Sequence, residues 1–366
     1  MNIALRTDAS ARIGLGHLAR CRTLARALRE AGATGHFICR AHPGHQIDAL
    51  RAEGYRVSAL PSPPLQQQAA DADYAAWLGV SQTQDAAETI TALTNNQQPK
   101  TNILIIDHYA LDSTWEQRLR PTVDRILVID DLANRRHECE LLLDQNFTEN
   151  AAERYRGLVP AHARLLLGPS YALLRPEYAQ ARQALRARDG AVRRVLVFFG
   201  GTDPDNLTGR ALAALSDPAL AHLALDVVVG ANNPHADSLA AQAAARGNTQ
   251  LHPPRPHLAD LMTQADLAIG AGGATTWERC CLVLPSLVVS IAENQRPACL
   301  ALADAGLIDY LGHKDRVTTD RLRRALQALL DDPEQRQHLA AAGAALVDGR
   351  GVERVVRHLL GAQRSH

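Results

Sequence analysis

Short apolar runs closed by polar or glycine-rich residues restrict the fold of this chain more than any other feature. Ile103-Leu104-Ile105-Ile106 leads directly into Asp107-His108-Tyr109, and a second run over 125–130 ends in Asp130-Asp131. A strand that is apolar on both faces belongs in a parallel sheet covered by helices on both sides. Similar runs occur at 2–7, 35–40 and 56–60. Between them lie helical spacings at 18–28, carried by Leu18, Leu24, Ala25 and Leu28, and at 47–53. Pro61, Pro63 and Pro64 mark one loop and residues 97–100 another. Residues 144–160 are polar and irregular, and the Arg- and Ala-rich segment 182–194 reads as a helix end followed by an interdomain linker. The pattern then restarts. Strands are predicted at 195–199, 225–229, 267–270 and 286–291, with helices at 206–215 and 274–282. A helical tail is predicted over 321–360, broken at Gly343 and at 349–351. Repeated strand–helix units predict a doubly wound α/β fold. A chain of 366 residues exceeds one typical core. The expectation is therefore two Rossmann-like domains facing a cleft, 1–186 and 187–366, with the last helices free to pack back on the first.

Charge narrows the partners. Lys plus Arg and Asp plus Glu both number 39, so nothing favours nucleic acid or an acidic membrane surface, and any anion binding must be local. The six cysteines form no Cys-x-x-Cys pair and read as free thiols of a reducing compartment. Arg6 and Asp8 interrupt any leader-like apolar core, and the apolar stretch at 280–292 is broken by Pro285. A cytoplasmic enzyme is expected.

Three glycine turns follow strands. Gly14-Leu15-Gly16-His17 places an imidazole at the amino end of a helix, where the dipole disfavours imidazolium and suits a general base. Asp8 and Arg12 share its loop and are the candidates to orient it. Gly14-x-Gly16-x-x-Ala19 also matches the dinucleotide fingerprint, but it starts well past the strand. The next strand ends in Arg40 instead of an acid, which leaves at most an NADP-dependent oxidoreductase. Gly200-Gly201-Thr202-Asp203 and Gly270-Ala271-Gly272-Gly273 can bring backbone N–H groups to a phosphate. Thr202 and Thr275 add hydroxyls, and Glu278, one turn into the following helix, can accept both hydroxyls of a ribose. Asn294 reads as an N-cap, and Arg175 as a diphosphate or sugar contact or a solvated arginine. Asp130-Asp131 reads as caps or a loop end. His42 and His45 lack further ligands, so no metal and no cofactor is expected. A carboxylate pair of the glycosidase kind is not identifiable.

Arg6-Thr7-Asp8 with Gly14–His17, then Ile106–Tyr109, Gly168-Pro169-Ser170-Tyr171-Ala172-Leu173-Leu174-Arg175, Gly200–Asp203 and Glu293-Asn294-Gln295, resemble in order the UDP-2,4-diacetamido-2,4,6-trideoxy-β-L-altropyranose hydrolases of pseudaminic acid biosynthesis. The likeness runs to about Gly306. That family is similar to GT-B glycosyltransferases, whose carboxyl-terminal half grips UDP, so the resemblance implies a GT-B-like fold. It implies His17 as catalytic base with Tyr109 beside it. It implies contacts to the UDP-sugar from Arg175, Glu278 and Asn294, to which the reading of the loops adds Asp8, Gly14, Gly16, Gly201, Thr202, Asp203, Gly272, Gly273 and Thr275 as substrate-binding candidates. The implied reaction is hydrolysis at the anomeric carbon with inversion, without metal. Transfer of the sugar by the same UDP grip is the alternative, and a non-catalytic UDP-sugar sensor is a third reading.

Overall fold

The computed structural model describes residues 1–10, 12–63, 74–95 and 100–361. The predicted loop positions Pro64 and 97–99 lie outside them. The chain divides into two compact units. One holds Met1–Asn146, Asn150–Leu173 and the segment from Gly351; the other holds Phe147–Glu149 and Leu174–Arg350.

The first unit is a seven-stranded parallel sheet: β1 (Asn2–Thr7), β2 (Thr34–Arg40), β3 (Arg56–Leu60), β4 (Thr101–Asp107), β5 (Val123–Ile129), β6 (Leu141–Asp144) and β7 (Arg164–Leu167), in spatial order β3-β2-β1-β4-β5-β6-β7. Leu5 of β1 pairs with Phe37 of β2 on one side and Ile105 of β4 on the other. The apolar run of β4 serves both faces. Ile103 and Ile105 pack with Leu24 and Leu28 of the helix Gly16–Glu30 and with Val355 and Leu359 of the last helix, Gly351–Leu360. Leu104 and Ile106 pack with Trp115 and Leu119 on the opposite face.

The second unit repeats the plan with six parallel strands: β8 (Arg194–Phe198), β9 (Ala224–Val228), β10 (Thr249–His252), β11 (Leu267–Ala271), β12 (Ser286–Ser290) and β13 (Asp309–His313), in order β10-β9-β8-β11-β12-β13. In both sheets the chain reverses direction beside the first strand of the unit. Ligands of doubly wound sheets sit outside the strand carboxyl ends at that switch point.

Several boundaries differ from the sequence reading. The helix Pro176–Gln183, placed with the first domain by the 186/187 boundary, belongs to the second unit. Its Arg182 donates to the Cys281, Ala344 and Val347 carbonyls at 2.7–3.0 Å. The division therefore falls at Leu173–Leu174. Gly343 does not break the tail. It lies within the helix Pro333–Leu346, where a Cβ would press on Cys280 Sγ at 3.2 Å. The break falls instead at Asp332, whose side chain caps the following helix through Gln335 N at 2.8 Å. Among the described residues no helix is long and apolar enough to cross a membrane.

Candidate active site

In the first unit the carboxyl ends of β1 and β4 and the start of the helix Gly16–Glu30 form one polar cluster. The chain reaches that helix through a tight reversal. Ser10 Oγ accepts from Arg12 N and Ile13 N at 3.2 and 2.9 Å, and Gly14 N donates to the Ser10 carbonyl at 2.9 Å. Gly14 closes the turn at φ +78°, a conformation that costs an L-residue about 1–2 kcal/mol. His17 follows on the first helical turn, with its side chain 8% exposed.

Its Nδ1 lies 2.6 Å from Asp107 Oδ1. Burial alone would raise the Asp107 carboxyl, but the Arg20 guanidinium and His17, by charge and hydrogen bond, hold it well below the usual carboxylate range. Asp107 is therefore an acceptor only, and His17 Nδ1 donates to it, with Arg20 Nη2 3.2 Å from the same nitrogen. Arg20 grips the same carboxylate with Nε on Oδ2 and Nη2 on Oδ1, both at 2.6 Å, and reaches Asp131 Oδ2 with Nη1 at 3.1 Å. Tyr109 packs edge-on against the imidazole, with centroids 4.5 Å apart, and Trp77 does so at 6.1 Å. Burial and the nearby Asp131 charge push the Tyr109 hydroxyl well up.

The sequence candidates for orienting His17, Asp8 and Arg12, give way to Asp107. Arg12 is exposed. Asp8 is fully enclosed by Arg6 (Nη1 to Oδ1 2.6 Å, Nη2 to Oδ2 2.9 Å), by Arg40 N at 2.7 Å, and by His108 and His42 at 3.3 and 3.5 Å. Arg6 and Arg40 also meet on Asp85, which accepts Trp115 Nε1 at 3.0 Å. Asp8 thus belongs to a buried ion network, and its expected contact with substrate is corrected to a structural role. Asp130 accepts Ala133 N at 2.9 Å and Arg135 at 2.7 Å, as a loop-end cap should. Asp131, read the same way, instead faces Arg20.

In the second unit the glycine turns divide by purpose. Gly200 sits at φ +98°, and Gly201 and Thr202 are exposed. A Cβ on Gly230 would run into the Gly201 carbonyl, so this loop depends on a glycine the sequence reading did not single out. Asp203 is buried, and its two oxygens accept Leu207 N and Thr208 N at 2.9 and 2.8 Å. It is a helix-start clamp, which corrects its expected ligand role. Gly272 N donates to the Val289 carbonyl at 3.0 Å, and a Cβ there would strike Cys299 Sγ. That glycine permits packing, and its N–H is already used, which corrects its phosphate-cradle role. Gly273 borders Gln295.

Arg175, Glu278 and Tyr178 form a second cluster. Burial pushes the Glu278 carboxyl up to about 7, against the pull of the Tyr178 hydroxyl, Arg279 and Arg175. Tyr178 OH accepts Leu258 N at 3.1 Å. Arg175 Nη2 also reaches Glu177 at 3.3 Å. The Arg279 guanidinium is buried beneath the loop after β11. It donates to Thr275 Oγ1 at 3.1 Å, the Ala271 carbonyl at 2.9 Å and Thr276 Oγ1 at 3.0 Å. Asn294 is exposed within a short 3-10 turn, Glu293–Gln295. The N-cap of the helix Arg296–Asp304 is Gln295, which corrects the cap assigned to Asn294. Among the described residues no group of three or more His, Cys, Asp or Glu is placed to hold a metal ion. Arg20, Tyr178 and Arg279 were missed by sequence. Arg20 and Tyr178 lie three residues from His17 and Arg175, and Arg279 lies four from Thr275, spacings that share a helix face.

No family model matches the chain. It is 31% identical over 203 residues to the spore coat polysaccharide biosynthesis protein SpsG of Bacillus subtilis, covering 55% of this chain and 60% of that protein's length. It is 26% identical over 308 residues to the UDP-2,4-diacetamido-2,4,6-trideoxy-β-L-altropyranose hydrolase of Campylobacter jejuni, covering 84% of this chain and 97% of that one. Among solved structures, Acinetobacter baumannii MurG superposes with a TM-score of 0.67 at 13% identity over 99% of both chains. The calicheamicin glycosyltransferase CalG4 does so with a TM-score of 0.62 at 15% identity, over 100% of this chain and 98% of that one. With a parallel α/β sheet in each unit, these likenesses establish a GT-B-like fold.

Proposed function

We propose that this chain hydrolyses a UDP-linked 2,4-diacetamido-2,4,6-trideoxy sugar to UDP and the free sugar, with inversion at the anomeric carbon and His17 as general base. The observation that carries the reading is the 2.6 Å contact between His17 Nδ1 and an ionised, buried Asp107. A base must keep a lone pair where the reaction needs it, and that contact reserves Nε2 for water. The likeness to the Campylobacter hydrolase over 84% of the chain supports the substrate class. In this reading Nε2 takes a proton from water as its oxygen bonds the anomeric carbon. The bond to the diphosphate oxygen breaks, and the electron pair leaves with UDP. A diphosphate is a good leaving group, so no strong general acid is required and an unpaired base is chemically sufficient.

The nucleotide falls to the second unit. Gly201, Thr202, Gly273 and Thr275 would face the diphosphate, Glu278 the ribose, and Arg175 and Asn294 the UDP-sugar. Backbone donors and guanidinium groups stabilise the charge that develops on the leaving group.

The test is UDP release from the UDP-sugar by purified protein in chelator, with the anomer of the fresh product read by NMR. His17→Ala is expected to lose about 10²–10⁴ in kcat, the usual worth of a general base. Turnover at the native rate by that variant would remove His17 from the role. The fold likeness to a glycosyltransferase favours one other reading, transfer to an acceptor. A new glycoside in place of free sugar, when candidate acceptors are added, would decide for it.

A further inference from the structure

We propose that Arg20 is a positioning residue for the His17 base. Its guanidinium locks the Asp107 carboxylate in the one orientation that presents Oδ1 to His17 Nδ1. The inference rests on His17 being the base and adds a residue whose role is separable from it.

An aspartate carboxylate rotates easily about its terminal torsion, so one hydrogen bond from an imidazole does not fix its plane. A guanidinium does, because its two parallel N–H groups match the two oxygens. Arg20 makes that fork through Nε to Oδ2 and Nη2 to Oδ1, each at 2.6 Å. Oδ1 then has one remaining direction, and His17 Nδ1 fills it at 2.6 Å, with Arg20 Nη2 itself 3.2 Å from that nitrogen. Cys21 Sγ, at 3.5 Å, is the further neighbour of Oδ2. Asp107 is fully buried, so no water competes for its lone pairs.

Arg20 is itself braced. Its third arm, Nη1, reaches Asp131 Oδ2 at 3.1 Å. The Tyr109 ring packs on the imidazole, edge-on at 4.5 Å. This arrangement holds His17 through Asp107, Arg20 and Asp131 on one side and against the Tyr109 ring on the other. It fixes the base at Nδ1 and against one ring face while leaving Nε2 outside these contacts. Tyr109 therefore acts in it through packing.

The fork is specific to arginine. A lysine at this position keeps the charge and loses the second donor. Arg20→Ala is expected to lower kcat about 100-fold, the scale of a misplaced catalytic group, with KM little changed. Arg20→Lys is expected to do nearly the same. Guanidinium added at millimolar concentration to Arg20→Ala should recover part of kcat, and methylammonium should not. In the ligand-free protein the His17 Nδ1–H proton should appear far downfield by NMR and be lost or shifted upfield in both variants.

Native kcat in Arg20→Ala overturns the proposal. So does a fall in kcat with an unchanged Nδ1–H signal and no response to guanidinium, which would mark a merely structural residue. If Arg20→Ala fails to fold, Arg20→Lys decides on the same readouts. The NMR signal needs no turnover, so a native protein without hydrolytic activity would sink the proposed reaction and still leave this inference to be judged.

Discussion

Replacing Asp107 with asparagine separates the charge of the orienting group from its shape. The native carboxylate takes three short contacts: Arg20 on both oxygens and His17 Nδ1 on Oδ1. An amide offers one acceptor oxygen. With that oxygen at the Oδ1 position, His17 and Arg20 Nη2 are served and Arg20 Nε faces an NH2 group. With the amide flipped, the NH2 faces His17 Nδ1, which must then accept, and Nε2 carries the proton instead of the lone pair. The first arrangement leaves a buried donor unpaired, at about 1–3 kcal/mol of stability. The second removes the base. Because a general base is worth about 10²–10⁴, Asp107→Asn is expected to lower kcat about 10³-fold. That is about 4 kcal/mol of transition-state stabilisation at 1.36 kcal/mol per decade. The assay is steady-state UDP release at saturating UDP-sugar, with urea unfolding of the same preparation to report the structural cost. A kcat within about threefold of native, less than 1 kcal/mol on that scale, would refute the assignment of Asp107.

Three other outcomes follow from the same contacts. Asp85→Ala strips a partner from the buried Arg6 and Arg40 and should destabilise the first unit by about 3–5 kcal/mol in urea unfolding; a loss under about 1 kcal/mol would mean the two arginines are satisfied by Asp8 and Glu88 alone. Asp8, Asp85 and Asp107 are all held below the ordinary carboxylate range. Their stabilisation is fully present above the unfolded value of about 4 and is lost as pH falls through the lower folded values, so urea midpoints should drop steeply below about pH 4; midpoints flat across that window would contradict it. Arg279→Met removes a buried cation and three donors from the loop after β11. By calorimetry UDP should bind about tenfold more weakly, the scale of one hydrogen bond to a charged group, while uridine is unaffected; equal losses for both would place the effect on loop folding instead of on phosphate charge.

The fold was legible where strands sit in the middle of a sheet. The centres of β1, β4, β5, β8, β11 and β12 are buried on both faces and spell short apolar runs, so their position follows from composition. The missed strands are at or beside sheet edges. β7, β10 and β13 are three of the four outer strands (the fourth, β3, was read at 56–60), and Thr249–His252 and Asp309–His313 mix polar and apolar residues because one side of each is not covered by a neighbour strand. β6, next to the edge, is apolar but only four residues long and opens the stretch that read as irregular. Arg182 misplaced the domain boundary because its role, holding three carbonyls far along the chain, leaves no trace in its own neighbourhood.

The site was legible where chemistry sits in local sequence and illegible where it depends on partners. His17 announces itself through the glycine turn, and Asp107-His108-Tyr109 through the strand it ends. Yet Asp107 and Arg20 are 87 residues apart, so the pairing that orients the imidazole could not be read from spacing. Charge was misread for the same reason. Asp8 looked like a loop acid free for substrate because nothing local shows that Arg6 and Arg40, on two adjacent strands, are buried and must be neutralised. The glycines make the point most sharply. Gly201 and Gly272 occupy matching turns after β8 and β11, and sequence gives both the same meaning. In the fold, Gly201 is exposed and its backbone is crowded from behind by Gly230, whereas Gly272 spends its N–H on β12 and its missing side chain on Cys299. A glycine permits a close approach; whether a ligand or the protein's own core makes that approach is decided by the next strand in the sheet, and that strand comes from elsewhere in the chain.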